Sequence, residues 1–381
     1  MSSRIYYPQM PVDPNHFAGR KDILNEIQKM IKSTEEGRPE NMAISGIRGI
    51  GKTSLVFKVK EMIPETCFLS YYVPSKEVNS QEFVDTLLQK MDLQYQKGLG
   101  KYGRFLEKAK ALSEKVESFS IEGVSVSLRE GKKTPEIAFM EAMTKFIQRG
   151  FKGIILQIDE ADLLSDEVLA LIRNCVQELQ SPSYGCSVAV IVSGRENLLK
   201  RLTGKLSPIS RFFSTHSYEL KSLTEEEVSD ALTLPVKDKK IKWEKDAIEH
   251  VYNLSNGYPF IVQIFGQYSV LNSNEKIVTK ENVEKSYSDV IGEVGLWYEA
   301  SWLKDPSPQE IKILLIIGSL KGRATFTDIN KKHGGKGAGE LLSRLVTKGC
   351  LEKDEINNEY FLPHSLVIDY LKIKFAKSKN N

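Results

Sequence analysis

One stretch of this chain has glycine, lysine and threonine residues at a spacing that suits anion binding. Residues 46–53 read GIRGIGKT. Glycines let the backbone fold tightly, so that successive N–H groups point at a phosphate. Lys52 adds a positive charge that can reach the β- and γ-phosphates, and the Thr53 hydroxyl can ligate Mg²⁺. The stretch therefore predicts a phosphate-binding loop for a nucleoside triphosphate.

The sequence on either side of this loop supports the prediction. The apolar run 42–44 predicts a strand before it, and the pattern of residues 53–62 predicts a helix after it, closed by Pro64. The helix would offer its N-terminal N–H groups and its positive dipole end to the same phosphate. The alternative is a Gly-rich turn between a strand and a helix that binds nothing.

Two acids follow a second apolar run. Residues 153–158 are almost continuously apolar and predict a strand buried on both faces, with Asp159 and Glu160 at its carboxyl end. An acid at such a strand end can hold Mg²⁺ through its water shell, and we assign this role to Asp159. Glu160 is suited to orient or deprotonate an attacking water. The alternative is a solvated acidic pair.

Three further residues are candidates for contact with the γ-phosphate. Ser193 and Arg195 end a third apolar run, 187–195, where they could reach the γ-phosphate or the lytic water. Arg195 could equally form a structural salt bridge. Arg211 precedes a further predicted strand and could act in trans on the nucleotide of a neighbouring subunit.

Length and composition bound the class of protein. The 381 residues allow two or three domains, and 41% hydrophobic with 27% charged residues is typical of a soluble globular protein. No apolar run approaches the roughly 20 residues that cross a bilayer, and residues 1–10 lack the core of a signal peptide. We therefore expect a cytoplasmic protein without a membrane partner. The four cysteines lack paired metal spacing and are expected to be buried thiols.

The order of the predicted elements indicates an α/β fold. Strands at 67–73, 153–158 and 187–195 alternate with helices that begin at 80, 135 and 166, which predicts a parallel sheet with helices on both faces. Residues 92–133 are predicted to be an insertion, with one helix near 103–117 and a hairpin across 121–128. Residues 222–289 are predicted to form helices only. From 308 the pattern is that of a winged helix, with helices at 309–320, 327–333 and 339–348, a two-stranded wing at 350–361 and a last helix at 365–375.

These motifs together resemble the AAA+/STAND branch of the P-loop ATPases, in particular prokaryotic and archaeal ATPases similar to the origin recognition complex. Residues 46–53 resemble Walker A, residues 155–160 resemble Walker B, and Ser193 falls at sensor 1. Residues 17–20, FAGR, look like the F-x-G-R box that the family uses to line the adenine and ribose.

Further matches lie in the second half of the chain. Residues 220–232 look like the start of the helical lid, and residues 256–260, NGYPF, resemble the G-x-P motif, whose proline packs on the base. His364 is faintly similar to the M-H-D histidine that senses ADP. Two departures stand out: Pro259 occupies the usual place of the sensor 2 arginine, and Ser365 replaces the M-H-D aspartate.

The resemblance implies a domain arrangement and a set of nucleotide-binding residues. We predict a P-loop ATPase domain at 1–220, a helical lid at 221–295 and a winged-helix domain at 304–381. ATP or ADP with Mg²⁺ is the expected cofactor, and Thr53 and Asp159 are the expected metal ligands. The predicted nucleotide-binding residues are Gly46, Ile47, Arg48, Gly49, Ile50, Gly51, Lys52, Thr53 and Ser54, with Phe17, Gly19, Arg20 and Pro259.

Two partners are open for the winged helix. Residues 304–381 hold 14 Lys and Arg against 9 Asp and Glu, which permits contact with nucleic acid. The wing, however, carries Glu352, Asp354, Glu355 and Glu359, which would repel a DNA backbone. The prediction that we favour is a slowly hydrolysing ATP switch that binds a protein partner or its own copies. The alternatives are a DNA-binding initiator or loader ATPase and a scaffold stabilised by nucleotide.

Overall fold

The computed structural model describes the chain apart from residues 1–4, 113–130, 204–211, 214–215, 274–275, 302, 304–305, 335–336, 355–356 and 377–381. The chain divides into two compact units. The first comprises Pro8–Leu234 and Asn256–Phe260. The second comprises Met1–Tyr7, Pro235–Ser255 and Ile261–Asn381.

The first unit is built on a five-stranded sheet whose strands all run parallel. Its strands are β1 (Met42–Ser45), β2 (Cys67–Tyr72), β3 (Gly153–Ile158), β4 (Val188–Gly194) and β5 (Ser217–Glu219). Its helices are α1 (Lys21–Glu35), α2 (Lys52–Met62), α3 (Ser80–Leu112), α4 (Pro135–Gln148), α5 (Asp166–Leu179), α6 (Glu196–Thr203) and α7 (Glu225–Thr233). The α/β fold predicted from the alternating strands and helices is confirmed.

The strand order β2-β3-β4-β1-β5 determines what meets at the carboxyl edge of the sheet. Strand β4 lies between β3 and β1, with Ile158 opposite Val192 and Ile44 opposite Ser193. The ends of β1, β3 and β4 are therefore neighbours. Every residue of these three strands is buried, which explains why their sequences are almost continuously apolar.

Helices α3 and α4 enclose an aromatic core on one side of this sheet. Phe68 of β2 stacks on Phe146 of α4, with ring centroids 4.0 Å apart, and Phe151 packs against both rings. Tyr102 of α3 joins the same cluster. Burying such large rings contributes about 2–3 kcal/mol each and holds the strands that carry the acids in place.

Two predictions of secondary structure are wrong. Helix α3 continues from Ser80 to Leu112, whereas the sequence predicted an interruption after residue 91. Glycines at 98, 100 and 103 lowered the local helix propensity there, but the helix continues through them and packs on strand β2. Residues 222–289 also contain two short paired strands. The hairpin predicted across 121–128 lies outside the described residues.

Among its described residues, the second unit has three α-helices, a 3-10 helix and a short pair of strands before its last part. The helices are α8 (Lys245–Ser255), α9 (Pro259–Leu271), whose first two residues fall in the first unit, and α10 (Lys280–Ser301). A 3-10 helix spans Leu234–Lys239. The strands are β6 (Lys242–Trp243) and β7 (Ile277–Val278), which pair in parallel.

The last part of the second unit has the predicted winged-helix arrangement. It comprises α11 (Pro308–Ser319), β8 (Arg323–Thr325), α12 (Phe326–His333), α13 (Ala338–Thr347), β9 (Glu352–Asp354), β10 (Glu359–Phe361) and α14 (Ser365–Ala376). The wing has a third strand that the sequence did not predict, because β10 pairs with both β8 and β9. Among the residues that the structure describes, no helix combines the length and the apolar character needed to cross a bilayer.

Candidate functional site

The predicted phosphate loop joins strand β1 directly to helix α2. Gly51 caps the helix with φ of 98°, a left-handed conformation that glycine adopts without strain. Helix α2 begins at Lys52, so its first N–H groups have no partner within the helix and face the turn of the loop. This is the backbone arrangement in which a phosphate replaces the missing hydrogen-bond acceptors.

The Asp159 carboxylate is bonded to the loop helix and to the neighbouring strand. Its Oδ2 accepts a hydrogen bond from the Thr53 hydroxyl at 2.8 Å, and its Oδ1 accepts one from the Ser193 hydroxyl at 2.6 Å. The Glu160 N–H also donates to Oδ1, at 3.0 Å. Asp159 is 2% exposed, so these bonds hold a desolvated carboxylate in one orientation. The structure thus brings together Thr53, Asp159 and Ser193, which the sequence singled out.

Thr53 and Asp159 have the oxygen donors that suit Mg²⁺. A Thr53 hydroxyl that ligates the metal can still donate its proton to Asp159, which would then hold the metal through its water shell. The two side-chain oxygens are 2.8 Å apart. Within the described ranges, no three His, Cys, Asp or Glu side chains come together as a metal-binding group. A metal here would therefore draw its remaining ligands from phosphates and water, as in P-loop sites.

The Lys52 ammonium lies over the loop that it follows. It donates to the Gly46 carbonyl at 2.6 Å and to the Ile47 carbonyl at 2.9 Å. Burial lowers the pKa of Lys52 to about 8, and the carboxylates of Asp159, Asp162 and Glu160 oppose that shift. A lysine with this pKa gains the most from a nearby anion, because a phosphate would restore the stability of its charged form.

Glu160 lies at the start of the turn after β3. Its φ is 54°, a left-handed value that is uncommon outside glycine, and its side chain is exposed. The neighbouring Asp159, by contrast, is buried. The two acids therefore have different environments, the buried one suited to holding a metal and the exposed one free to approach a water molecule.

Asp162 holds Arg195, one of the predicted γ-phosphate ligands. The Arg195 Nε lies 3.3 Å from Asp162 Oδ2, and the Arg195 N–H donates to Oδ1 at 3.0 Å. The Arg195 side chain is 61% exposed. Ser193 contacts Asp159 in this structure, which makes it a second support of that carboxylate. Arg211 lies outside the described residues.

The predicted F-x-G-R box is held by Glu227, at the start of helix α7. Glu227 Oε1 accepts from the Arg20 N–H at 2.8 Å, and Oε2 accepts from the Thr224 N–H at 2.9 Å. Thr224 and Glu227 form a capping box, worth about 1 kcal/mol to the helix end. The Arg20 guanidinium reaches the Ile50 carbonyl of the phosphate loop at 3.3 Å. Gly19 packs so closely on Glu227 that a Cβ there would lie 2.5 Å from Oε1. Phe17 is half-buried.

The segment 256–260, which contains Pro259, lies against the phosphate loop. The Tyr258 hydroxyl donates to the Arg48 carbonyl. A Cβ added to Gly49 would lie 3.1 Å from the Tyr258 ring and 3.2 Å from the Cβ of Phe260. The structure therefore places the segment that resembles the G-x-P motif beside the loop that resembles Walker A.

Both ring nitrogens of His364 contact backbone atoms. Its Nε2 lies 2.9 Å from the Ser255 carbonyl, and its Nδ1 accepts from the Leu366 N–H at 3.1 Å. This pattern assigns the proton of the neutral ring to Nε2. Burial lowers the pKa of His364. The residue is thus a packed, neutral histidine of the second unit.

Three residues of this site were not predicted. Glu227 was part of the predicted lid start, and the T-x-x-E spacing from Thr224 could have shown its capping role. Asp162 is the third acid of the run 159–162 and carried no separate signal. Tyr258 stood inside the G-x-P resemblance, but nothing in the sequence indicated that its hydroxyl reaches the phosphate loop.

A loop of this form at the end of β1, with a hydroxyl on α2 bonded to a carboxylate at the end of β3, is the arrangement of the P-loop nucleoside triphosphatase fold. Residues 16–191 match the family described as the AAA ATPase domain. This match bears out the resemblance to AAA+ ATPases that the motifs carry.

Several proteins are similar to this chain over most of its length. An uncharacterised HTH-type transcriptional regulator of Methanocaldococcus jannaschii is 22% identical, over 93% of this chain and 89% of its own. A Walker-type ATPase of Pyrococcus abyssi has a TM-score of 0.62 at 17% identity, covering 93% of this chain and 95% of that one. The ORC2 protein of Aeropyrum pernix, solved with ADPNP and ADP, has a TM-score of 0.60 at 13% identity, covering 95% of both chains. The structural similarities show a shared fold.

Proposed function

We propose that this chain is an ATP-binding molecular switch that hydrolyses ATP slowly and whose nucleotide state controls partner assembly. The observation that carries the proposal is the hydrogen bond between Thr53 and Asp159, which joins the phosphate loop to the acidic end of β3. An AAA ATPase domain family match over residues 16–191 supports ATP as the nucleotide.

Each residue of the site has a role in this proposal. The loop amides and Lys52 hold the phosphates, with Ser54 beside them, and Thr53 and Asp159 hold Mg²⁺. Bound Mg²⁺ would neutralise charge that develops on the β- and γ-phosphates. Glu160 orients or deprotonates the attacking water. The remaining assignments are Phe17, Gly19, Arg20 and Pro259 to the adenine and ribose, Ser193 and Arg195 to the γ-phosphate, and Arg211 to the nucleotide of a neighbouring subunit.

The proposal also divides the chain into an ATPase domain at 1–220, a helical lid at 221–295 and a winged-helix domain at 304–381. ATP and ADP would favour different arrangements of the last two. The partner is a protein or further copies of this chain, and the compartment is the cytoplasm.

Two substitutions separate binding from hydrolysis. Lys52→Ala should weaken ATP binding by about two orders of magnitude, because it removes a charge-assisted contact to the phosphates worth about 3 kcal/mol. Glu160→Gln should keep the affinity for ATP and lower phosphate release by at least about 100-fold. Calorimetry and a phosphate-release assay measure the two effects, with Lys76→Ala, at an exposed loop position, as the control. Tight ATP binding by the Lys52→Ala protein would refute the assignment.

A DNA-binding ATPase of the initiator or loader type is the second candidate. The exposed face of α13 carries Ser343, Arg344 and Thr347, and Lys331 and Lys332 are exposed on α12. A winged helix that binds DNA presents such residues to the groove and the backbone. The similarity to a protein named as an HTH-type regulator also favours this candidate.

A further inference from the structure

One buried tyrosine is bonded to the main chain of the phosphate loop. Tyr258 is 3% exposed, and its hydroxyl donates to the carbonyl of Arg48. The Tyr258 ring also lies against Gly49, since a Cβ built on Gly49 would be 3.1 Å from Cε1 of the ring and 3.2 Å from the hydroxyl oxygen. The side chain therefore covers the peptide unit that joins Arg48 to Gly49.

A hydrogen bond to this carbonyl also sets the direction of an N–H group. The peptide bond is planar and trans, so the Arg48 carbonyl and the Gly49 N–H belong to one rigid plane and point in opposite directions. Fixing the carbonyl toward Tyr258 aims the Gly49 N–H away from Tyr258. In phosphate loops the N–H groups of these glycines are donors to the phosphate oxygens. A bonded carbonyl also polarises its peptide unit and strengthens the N–H as a donor.

The backbone around Tyr258 is itself fixed, so its hydroxyl does not have to be ordered when a ligand arrives. Asn256 and Gly257 both have left-handed φ, of 47° and 68°. The Gly257 carbonyl accepts from the Leu223 N–H at 2.8 Å, and a Cβ on Gly257 would lie 2.0 Å from the Leu223 carbonyl oxygen. Pro259 then begins helix α9. Because this donor is already held in place, little conformational entropy is lost when the nucleotide binds.

We propose that Tyr258 is a positioning residue for the phosphates of the bound nucleotide, acting through the Arg48–Gly49 peptide. The inference rests on the proposed function, because it assigns a further residue to the same site. Tyr258 does not touch the phosphates itself. Its hydroxyl holds the Gly49 N–H in the orientation that a β-phosphate accepts, so its contribution appears only with ligands that carry that phosphate.

The test compares two nucleotides that differ in the β-phosphate. Tyr258→Phe removes only the hydroxyl, and Tyr184→Phe, at a residue that is 45% exposed, is the matched control. Calorimetry should show ADP binding weakened roughly 5- to 10-fold in Tyr258→Phe, as expected for one lost hydrogen bond, with AMP affinity unchanged within twofold. The Tyr184→Phe protein should match the wild type for both nucleotides.

A second measurement follows the peptide directly. In glycine-labelled protein, the Gly49 amide resonance should shift on adding ADP, and that shift should be smaller in Tyr258→Phe. Wild-type ADP affinity in Tyr258→Phe, or equal losses for ADP and AMP, would overturn the inference while leaving the proposed function in place. A wild-type protein that binds neither ATP nor ADP would overturn both.

Discussion

The ammonium of Lys52 donates to the carbonyls of Gly46 and Ile47, within the loop that is proposed to bind phosphate. Those two carbonyls are weaker partners than a phosphate, which carries full negative charge. Burial has already lowered the pKa of this lysine to about 8. The charge of Lys52 therefore changes in the range of pH just above neutrality.

A prediction on pH dependence follows from that value. Below pH 8 Lys52 is charged, so ATP affinity should be constant as far as this group is concerned. Bound phosphate raises the pKa of the lysine, so above pH 8 each binding event takes up a proton, and affinity should fall about tenfold per pH unit. Fluorescence titration with an ATP analogue between pH 7 and 10 measures the decline.

Two variants identify the group that is responsible. Lys52→Arg stays charged over this range, so its affinity, although lower, should not decline with pH. Burial also lowers the pKa of Lys60 to about 8, and its ammonium lies 3.2 Å from the centroid of the Tyr71 ring. Lys60→Met should retain the decline of the wild type. Loss of the decline in Lys60→Met would show that Lys60, and not Lys52, causes it.

At the scale of elements, the turn between α8 and α9 has little room for change. Gly257 has a left-handed φ and lies against the Leu223 carbonyl. Gly257→Ala should lower the free energy of unfolding by about 2–4 kcal/mol, because it combines the strain of φ near +70° with a backbone clash. Thermal and denaturant unfolding measure this loss.

Gly37 provides the matched control for that substitution. Its φ is 80°, but a Cβ there would meet nothing within 4 Å. Gly37→Ala should therefore show the conformational strain alone, about 1–2 kcal/mol. Equal losses in the two variants would mean that the Leu223 contact does not restrict the turn. A larger loss at Gly257, accompanied by weaker ADP binding, is the expected result.

At the scale of the whole molecule, the charges of the winged helix bear on its partner. Several of its cations are engaged within the second unit. The contacts are Lys348 with Glu310 at 2.9 Å, Arg323 with Glu359 at 3.3 Å and Lys312 with the His333 carbonyl at 2.8 Å. Glu352, Asp354 and Glu359 of the wing add negative charge. DNA binding to such a surface would release fewer counterions, and so gain less affinity, than the net charge of +5 for residues 304–381 indicates.

We therefore expect weak, weakly salt-dependent binding to duplex DNA. Fluorescence anisotropy with ATP present should give a slope of log affinity against log salt concentration shallower than about −3, since each neutralised phosphate contributes about −0.9. Arg344→Ala, on the exposed face of α13, should change the affinity less than twofold. A steeper slope that Arg344→Ala reduces by about 1 would favour the DNA-binding ATPase over the protein-interaction switch.

The sequence by itself determined the elements of the ATPase unit and the residues of its loop. Short strands that are buried on both faces have continuous apolar runs, and the glycine spacing of a phosphate loop follows from local backbone geometry, so both can be recognised within a few residues. Helix α3 was the exception. Its glycines lowered local helix propensity, whereas packing against the sheet, which local sequence does not report, favours the helix.

Only the tertiary structure decided which of these residues support one another. Thr53 and Asp159 are 106 residues apart, and Arg48 and Tyr258 are 210 apart. The first contact could be anticipated, because parallel strands bring their carboxyl ends to one edge. The contact of the Tyr258 hydroxyl could not be anticipated, because its bond to a backbone carbonyl depends on the path of the chain and requires no particular residue at position 48. Contacts to the main chain leave no residue type in the sequence by which to find them.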